Sequence, residues 1–351
     1  AVIPFTGSPG LKPRMPADAT VLDYYKLFIQ DNDIMAIILV ETNRYGAANV
    51  ANCEQITFND LHRVFALVML MGIVKKPAVH MYWSTDPKLS TKHFNDVMSR
   101  NKFNRIMSAL HFVDNGIPST DRANKIRPIL DCQNRRFSQV YVPKRDVSID
   151  ETLLLFKGRL VFKQYIPKKR ARFGMKGYVL AESDTGYVQK YTLYEGKDRE
   201  NTDIGQGVAH RIVLDMMDGL LDCGYNVVMD NWYSSPILMK ELFDRKTYAY
   251  GTLRSNPKNV PKDIKSHDNG TQLKKYFSCS PVLVGCWFDK NHLVFCSNKH
   301  DSFELVELEK RTHDDRPIFK PGPIVDYNKN MCGVDLADQM LKYYAMERRA
   351  I

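Results

Sequence analysis

Hydrophobic residues recur at helical spacing through the first part of the chain. Over residues 21–140 they follow one another at intervals of three and four, which places them on one face of a helix. Val21, Tyr24 and Phe28 form one such face. We therefore predict a helical N-terminal region over residues 21–140, preceded by an irregular lead-in rich in proline and glycine over residues 1–20.

The most apolar run of the sequence, Val64–Val74, closes with two lysines. It is well short of the roughly 20 residues that a helix needs to cross a bilayer. We interpret it as a buried helix of a globular protein, and we expect no membrane partner.

From about residue 145 the pattern changes to short strands separated by turns and two helices. Ser183-Asp184-Thr185-Gly186 has the composition of a hairpin turn. Ser235 and Pro236 suit the first positions of a helix. The predicted elements are, in order, strand Val147–Asp150, strands Lys176–Glu182 and Tyr187–Tyr194, a helix over Val208–Leu220, strand Asn226–Asp230, a helix opening at Ser234, and strand Tyr248–Arg254.

Residues 255–320 interrupt this order with prolines, an Asn-Gly turn and short apolar runs, and they predict a small β-rich insertion. A helix then returns at Gly333–Tyr344. Three hairpin strands, an α-β-α-β continuation and a returning helix describe an α/β protein with an RNase H-like catalytic core and a mixed sheet. The first part of that core is predicted over residues 141–254, and its returning segment over residues 321–351.

Four aspartates lie at places where this fold brings elements together. Asp150 is predicted to end the first strand and Asp230 the fourth, and those strands are neighbours in such a sheet. Asp335 and Asp338 lie three residues apart on one face of the last helix. Converging carboxylates repel each other unless a cation is present, and carboxylate oxygens suit Mg²⁺ or Mn²⁺. Alternatively, each aspartate is an ordinary cap or turn residue.

Positive charge adds a candidate partner. The net charge is +10, which favours a polyanion such as nucleic acid. Residues 152–181 contain no acidic residue. The run over residues 168–172 can contact DNA phosphates, act as a nuclear localisation signal or form a solvated loop. The candidate DNA contacts are Lys157, Arg159, Lys168, Lys169, Arg170 and Arg172.

Several sequence blocks together resemble the piggyBac transposase family, and the resemblance covers nearly all of the 351 residues. Ser148-Ile149-Asp150-Glu151-Thr152 is similar to its first catalytic block. Met229-Asp230-Asn231-Trp232-Tyr233 is similar to its second block. Asp326 to Gln339, which contains Gly333-Val334-Asp335-Leu336-Ala337-Asp338, is similar to its third block.

The resemblance implies an active site of three aspartates, in which Asp150, Asp230 and Asp335 hold Mg²⁺ (or Mn²⁺) and Asp338 supports them. It also implies cleavage and transfer of double-stranded DNA, with excision at transposon ends through hairpins and insertion at TTAA targets. A homodimer in the nucleus is expected. Family members also carry an acidic N-terminal extension and a cysteine-rich C-terminal domain, so recognition of transposon ends is expected to need residues outside this stretch.

Two alternatives to an active transposase stay open at this point. The chain is a domesticated descendant that binds DNA or chromatin without transposing, or an unrelated metal nuclease of the same fold. The four intact aspartates favour an enzyme, since an unused carboxylate cluster costs stability, although a recently domesticated copy could keep them. Separately, Trp232 either packs in the core or stacks on a displaced base.

Overall fold

The computed structural model describes residues 2–156, 158–167, 172–196, 207–254, 259–261, 264, 274–288, 292–311 and 313–345. The chain divides into two compact units. The helical unit is built mainly from Pro13–Val140. The sheet unit is built from Tyr141–Phe156 and Phe162–Asp338, together with the N-terminal residues as far as Lys12. No helix among the described residues combines the length and the apolar character needed to cross a membrane.

The helical unit covers most of the stretch for which the sequence predicts a helical N-terminal region. Thr57 caps its most apolar helix through a reciprocal pair of hydrogen bonds with Asp60. Leu61, Val64 and Leu67 of that helix are buried in the core of the unit. The elements are α1 (Val21–Phe28), α2 (Ile34–Asn49), α3 (Phe58–Ile73), a 3₁₀ helix (Val79–Trp83), α4 (Lys92–Val97), α5 (Arg100–Ala109) and α6 (Arg127–Val140).

The sheet unit contains the strands of the structure and the helices after α6, the last of them as far as Asp338. Its first elements are β1 (Gly10–Leu11), β2 (Tyr141–Val142), β3 (Asp146–Leu155), β4 (Gln164–Tyr165), β5 (Phe173–Glu182), β6 (Val188–Leu193), α7 (Val208–Met217), β7 (Asn226–Met229), α8 (Pro236–Asp244) and β8 (Tyr248–Thr252). They are followed by β9 (Lys274–Cys279), β10 (Val282–Phe288), β11 (His292–Ser297), β12 (Leu305–Arg311), β13 (Pro317–Pro321), α9 (Gly322–Asn330) and α10 (Gly333–Tyr343).

Within the described residues, nine strands form one mixed sheet in the order β4-β5-β3-β7-β8-β11-β10-β9, with β6 beside β5. β3, β7 and β8 run parallel to one another. β5 is antiparallel to β3, and β6 is antiparallel to β5. The central order β6-β5-β3-β7-β8 is the one that the RNase H-like prediction requires. The predicted fold class is therefore confirmed.

Side chains alternate between the two faces of the sheet, as they must along a strand. Val147 and Ile149 of β3 lie in the core beneath α7 and α8. Val228 of β7 faces the other way, into a cluster with Tyr250 and Ile324. The face that carries Val228 is covered by α9 and α10, and we call it the α10 face.

Three details of the predicted elements are corrected by the structure. Asp150 does not end its strand, because β3 stays paired with β5 as far as Leu155 after its pairing with β7 has stopped. Asp230 is the residue after β7 and not its last member. The lead-in is not wholly irregular, since Gly10–Leu11 pairs with Tyr141–Val142.

The segment predicted as a β-rich insertion, residues 255–320, contributes strands to two sheets. β11 pairs with β8, and β10 and β9 follow it, so these three strands extend the central sheet. β12 and β13 form a separate two-stranded ribbon. Residues 255–258, 262–263, 265–273, 289–291 and 312 lie outside the described part of the segment.

Candidate active site

Asp150 and Asp230 occupy equivalent places on the two parallel central strands. The parallel register of β3 and β7 ends with Ile149 opposite Met229. Asp150 follows Ile149 within β3, and Asp230 follows Met229 directly after β7, so the backbone brings the two aspartates to the same edge of the parallel pair. Because Ile149 and Met229 both face the core beneath α7 and α8, alternation directs the two aspartates to the α10 face.

The backbone after each strand fixes its carboxylate. Asp150 Oδ1 accepts a hydrogen bond from the Glu151 amide at 2.7 Å. Asp230 Oδ1 accepts one from the Trp232 amide at 2.7 Å. The carbonyl of Asp230 accepts the Ser234 hydroxyl at 3.0 Å, which closes the turn that leads to α8. The two side chains are therefore oriented by local backbone geometry.

Electrostatics disfavour the ionised form of Asp230 in the protein alone. Burial raises the pKa of its carboxyl above the usual range, and the negative charge of Glu151 raises this pKa further. Hydrogen bonds from the backbone of Trp232 and the positive charge of Arg254 act in the opposite direction. A bound cation would relieve this cost, which is the behaviour expected of a cation ligand.

Helix α10 brings Asp338 onto the same face of β3. The Thr152 hydroxyl donates a hydrogen bond to Asp338 Oδ1. At the start of α10, Gly333 lies against Ser148, where an added Cβ would approach the Ser148 hydroxyl to 2.6 Å. Every second residue of a strand lies on the same face, so Ser148, Asp150 and Thr152 share one face of β3. Helix α10 contacts the first and the last of them and therefore runs along the strand beside Asp150.

Two glycines allow the helix to approach so closely. A Cβ on Gly333 would also meet the carbonyl oxygen of Glu182 at 2.7 Å. Gly186, in the hairpin turn between β5 and β6, has a φ of +72° and would meet the amide nitrogen of Ala337 at 2.9 Å. Only glycine fits these contacts without displacing the helix.

Asp335 is placed differently from the other three aspartates. It lies in the first turn of α10 and is exposed. Among the residues that the structure describes, no three His, Cys, Asp or Glu side chains are gathered as a metal-binding group. The fold thus aligns Asp150 and Asp230, ties Asp338 to β3 and leaves the Asp335 carboxylate at the surface. The oxygen donors of Asp150 and Asp230 fit a hard divalent cation.

A lysine in an aromatic pocket lies beside this edge of the sheet, and sequence reasoning did not single it out as such. Lys176 Nζ lies 3.2 Å from Glu151 Oε1. It also lies 4.9 Å from the ring centre of Tyr178 and 5.1 Å from that of Trp232. Trp232 stacks on Tyr178 with ring centres 5.6 Å apart, and it packs against the buried core. In this structure Trp232 therefore packs within the protein.

Tyr327 of α9 is a second residue that sequence reasoning missed. Its hydroxyl pairs with the side chain of Thr252, and the charges of Asp230 and Asp150 act on it. Burial raises the pKa of Tyr327 to about 12, so the phenol stays protonated at neutral pH. Its place in the third sequence block, eight residues before Asp335, was the available signal.

The predicted DNA contacts are only partly covered by the structure. Arg159 and Arg172 are exposed, as side chains that meet a phosphate backbone must be. Lys157, Lys168, Lys169 and Arg170 lie outside the described residues.

A mixed sheet in this order, with Asp150 on β3 and Asp230 directly after β7, defines an RNase H-like fold. The family model described as Transposase IS4 matches residues 20–351. The chain belongs to this transposase family, and the piggyBac resemblance recognised in the sequence is confirmed.

Human relatives support the same placement. The chain is 26% identical over 340 residues to PiggyBac transposable element-derived protein 2, covering 93% of this chain and 57% of that protein. It is 25% identical over 337 residues to PiggyBac transposable element-derived protein 3, covering 93% and 56%. It is 22% identical over 334 residues to PiggyBac transposable element-derived protein 5, covering 89% and 63%. The chain thus spans less than two thirds of these relatives.

A solved structure has the same fold. The piggyBac transposase determined by cryo-EM in a synaptic complex with hairpin DNA superposes with a TM-score of 0.83 at 24% sequence identity. The superposition covers 98% of this chain and 72% of that chain. At this level of identity the likeness establishes the fold.

Proposed function

We propose that this chain is the catalytic region of a metal-dependent DNA transposase that cleaves and transfers DNA strands at TTAA sites. One observation carries the proposal. Asp150 and Asp230 extend from the ends of one parallel register onto the same face of the sheet. Membership of a transposase family supports a DNA phosphodiester as the substrate of this pair of carboxylates.

In the proposal, Asp150, Asp230 and Asp335 hold Mg²⁺ or Mn²⁺, and Asp338 supports them. When bound, the cation activates the attacking oxygen and stabilises the leaving oxygen of the phosphodiester. Asp150 and Asp230 contribute oxygens whose orientation is set by the amides of Glu151 and Trp232. Asp335 contributes from the first turn of α10, a helix held on β3 through Asp338.

The proposed substrate is double-stranded DNA, both as transposon ends and as TTAA target. The net charge of +10 and the exposed Arg159 and Arg172 support contact with phosphates. Lys157, Lys168, Lys169 and Arg170 complete the proposed basic stretch. We further propose a homodimer that acts in the nucleus, as the resemblance to piggyBac transposases implies.

The test is nicking of a labelled duplex that carries a TTAA-flanked transposon end, using the full-length protein with Mg²⁺ or Mn²⁺. We expect nicking by the wild type and none by Asp230→Asn or Asp150→Asn. Asp244→Asn serves as the matched control, because Asp244 is an exposed aspartate at the end of α8. Equal nicking by Asp230→Asn and Asp244→Asn would refute the assignment.

A second function is favoured by the human relatives, whose names describe them as derived from a transposable element. A domesticated protein would bind DNA or chromatin and cut neither. Salt-sensitive DNA binding by the wild type, with no nicking under any divalent cation, would support this second function over the first.

A further inference from the structure

Helix α9 determines where α10 begins. Only Met331 and Cys332 separate the end of α9 from the start of α10. The backbone carbonyl of Tyr327 accepts the amide of Met331 at 2.9 Å, and that of Cys332 accepts the amide of Leu336 at 2.9 Å. A shift of α9 is therefore transmitted to the helix that carries Asp335 and Asp338.

Two basic side chains from the turn after β11 hold α9 through Asp326. Lys299 Nζ lies 2.8 Å from Asp326 Oδ2, and His300 Nε2 lies 3.1 Å from the same oxygen. These contacts hold the pKa of Asp326 well below its usual range, with the hydrogen bond from His300 as the largest cause. We call Lys299, His300 and Asp326 the α9 clamp.

A buried serine fixes the orientation of the histidine. Ser297 Oγ accepts the backbone amides of Lys299 at 3.0 Å and His300 at 3.2 Å. Its hydroxyl then donates to His300 Nδ1 at 2.8 Å, which leaves Nε2–H to donate to Asp326. The Ser-His-Asp order suggests a nucleophile relay. Ser297 is fully buried, and its oxygen accepts two backbone amides, so it is not available as a nucleophile. The arrangement is a turn that orients His300.

The same face of α9 is attached to β8 by two further contacts. Asn330 Nδ2 donates to the Tyr250 hydroxyl at 2.8 Å, and Tyr327 pairs with Thr252. Lys299 Nζ lies 4.9 Å from the ring centre of Tyr250, so the clamp and the Asn330 contact share this tyrosine. Helix α9 is thus held along the seam between β8 and β11.

We infer that Lys299 and His300 are positioning residues for the third sequence block, Asp326 to Gln339. Acting through Asp326, they align α9 and hence the α10 aspartates. The chain after β8 adds β9–β11 to the central sheet, and the turn after β11 brings Lys299 and His300 to the start of the third sequence block. This inference rests on the proposed function for its catalytic consequence, but the alignment of α9 can be measured without catalysis.

The experiment compares Lys299→Met with Lys299→Arg and Arg311→Met in the full-length protein. Arg311 is the matched control, since it forms exposed ion pairs in the β12–β13 ribbon of the same segment. Amide hydrogen exchange reports on residues 322–343, and steady-state nicking gives kcat and the KM for DNA. We expect Lys299→Met to speed exchange there and to lower kcat about tenfold. KM and its salt dependence should not change. Lys299→Arg should restore the exchange rate and kcat, and Arg311→Met should match the wild type.

Unchanged exchange in residues 322–343 of Lys299→Met would overturn the inference. A change confined to KM and its salt dependence would also overturn it, because Lys299 would then be a phosphate contact. If the wild type does not nick DNA, the proposed function fails. The exchange measurement then still decides whether the clamp aligns α9.

Discussion

The Thr152 hydroxyl donates a hydrogen bond to the Asp338 carboxylate, although the two residues lie 186 positions apart in the chain. This contact joins the strand that carries Asp150 to the helix that carries Asp335. Thr152 is buried, so replacing it by the isosteric valine leaves a carboxylate oxygen without its donor. We expect Thr152→Val to lower the free energy of unfolding by about 1–3 kcal/mol and to reduce nicking.

Urea unfolding of Thr152→Val beside Thr192→Val measures that effect. Thr192, on β6 of the same sheet, makes its hydroxyl contact with the sulfur of Met216, a weak acceptor. Loss of this contact in Thr192→Val should therefore lower the free energy of unfolding less than Thr152→Val does. Equal losses in the two variants would show that the Asp338 contact contributes nothing specific.

Gly333→Ala tests the close approach of α10 to the sheet. The added methyl would meet the Ser148 hydroxyl at 2.6 Å and the Glu182 carbonyl at 2.7 Å. We expect a loss of about 1–3 kcal/mol in the free energy of unfolding, together with loss of nicking, since the helix must move. Gly322→Ala is the control, because its Cβ would meet the Val306 side chain at an ordinary 3.5 Å. Thermal unfolding of both variants gives the comparison, and similar melting temperatures would contradict the expected displacement of α10.

Asp230→Asn should stabilise the protein in the absence of divalent cations. Burial and the Glu151 charge raise the pKa of Asp230, so its ionised form costs stability at neutral pH. The neutral amide removes that cost, while it also removes a cation ligand. We expect a higher melting temperature than the wild type in EDTA. Added Mg²⁺ or Mn²⁺ should raise the melting temperature of the wild type more than that of the variant. A lower melting temperature of Asp230→Asn in EDTA would contradict this account.

Lys176 and Glu151 should be energetically coupled. Both side chains are largely buried, and the lysine is surrounded by aromatic rings. Lys176→Met removes the lysine that pairs with the Glu151 carboxylate, and we expect a loss of about 1–3 kcal/mol in the free energy of unfolding. Adding Glu151→Gln should recover part of that loss. A double-mutant cycle by urea unfolding measures the coupling. Strictly additive effects would show that Lys176 and Glu151 do not stabilise each other.

The α9 clamp makes part of the stability depend on pH. The folded pKa of Asp326 is lowered, so its ionised form stabilises the protein above the unfolded pKa of about 3.9. This contribution is lost as the pH falls from there through the lowered folded pKa. The stability advantage of the wild type over Asp326→Asn should therefore be smaller at pH 3 than at pH 5. Urea midpoints at the two pH values measure it, and an equal or larger advantage at pH 3 would be incompatible with a lowered pKa.

The sequence predicted the central sheet well because its signals are local. Alternating apolar residues, the turn before Gly186 and the Ser235 cap each depend on a few neighbouring residues, and the strand order follows from the β-β-β-α-β-α-β sequence of elements. The length of β3 was missed. The backbone after Asp150 pairs with β5 and no longer with β7, and pairing between distant strands leaves no local signal.

The sequence predicted which aspartates belong to the candidate site, but not which residues contact them or how exposed each one is. The positions of Asp150 and Asp230 follow from strand register. The partners of Asp338 and Asp326 come from elements distant in sequence, Thr152 of β3 and the turn after β11. Such contacts depend on how helices pack on the sheet, and hydrophobic spacing does not specify this packing. The exposure of Asp335 is another result of packing.

The pairing of β11 with β8 limits how this chain can be redesigned. Excising residues 255–320 as though they were an independent module would turn β8 from an interior strand into an open edge. Unpaired backbone groups on such an edge recruit other chains into aggregates. Among the residues that the structure describes, β12 and β13 pair only with each other, so a tag or a fused domain is better tolerated at their turn near Asp315 than anywhere along β9–β11.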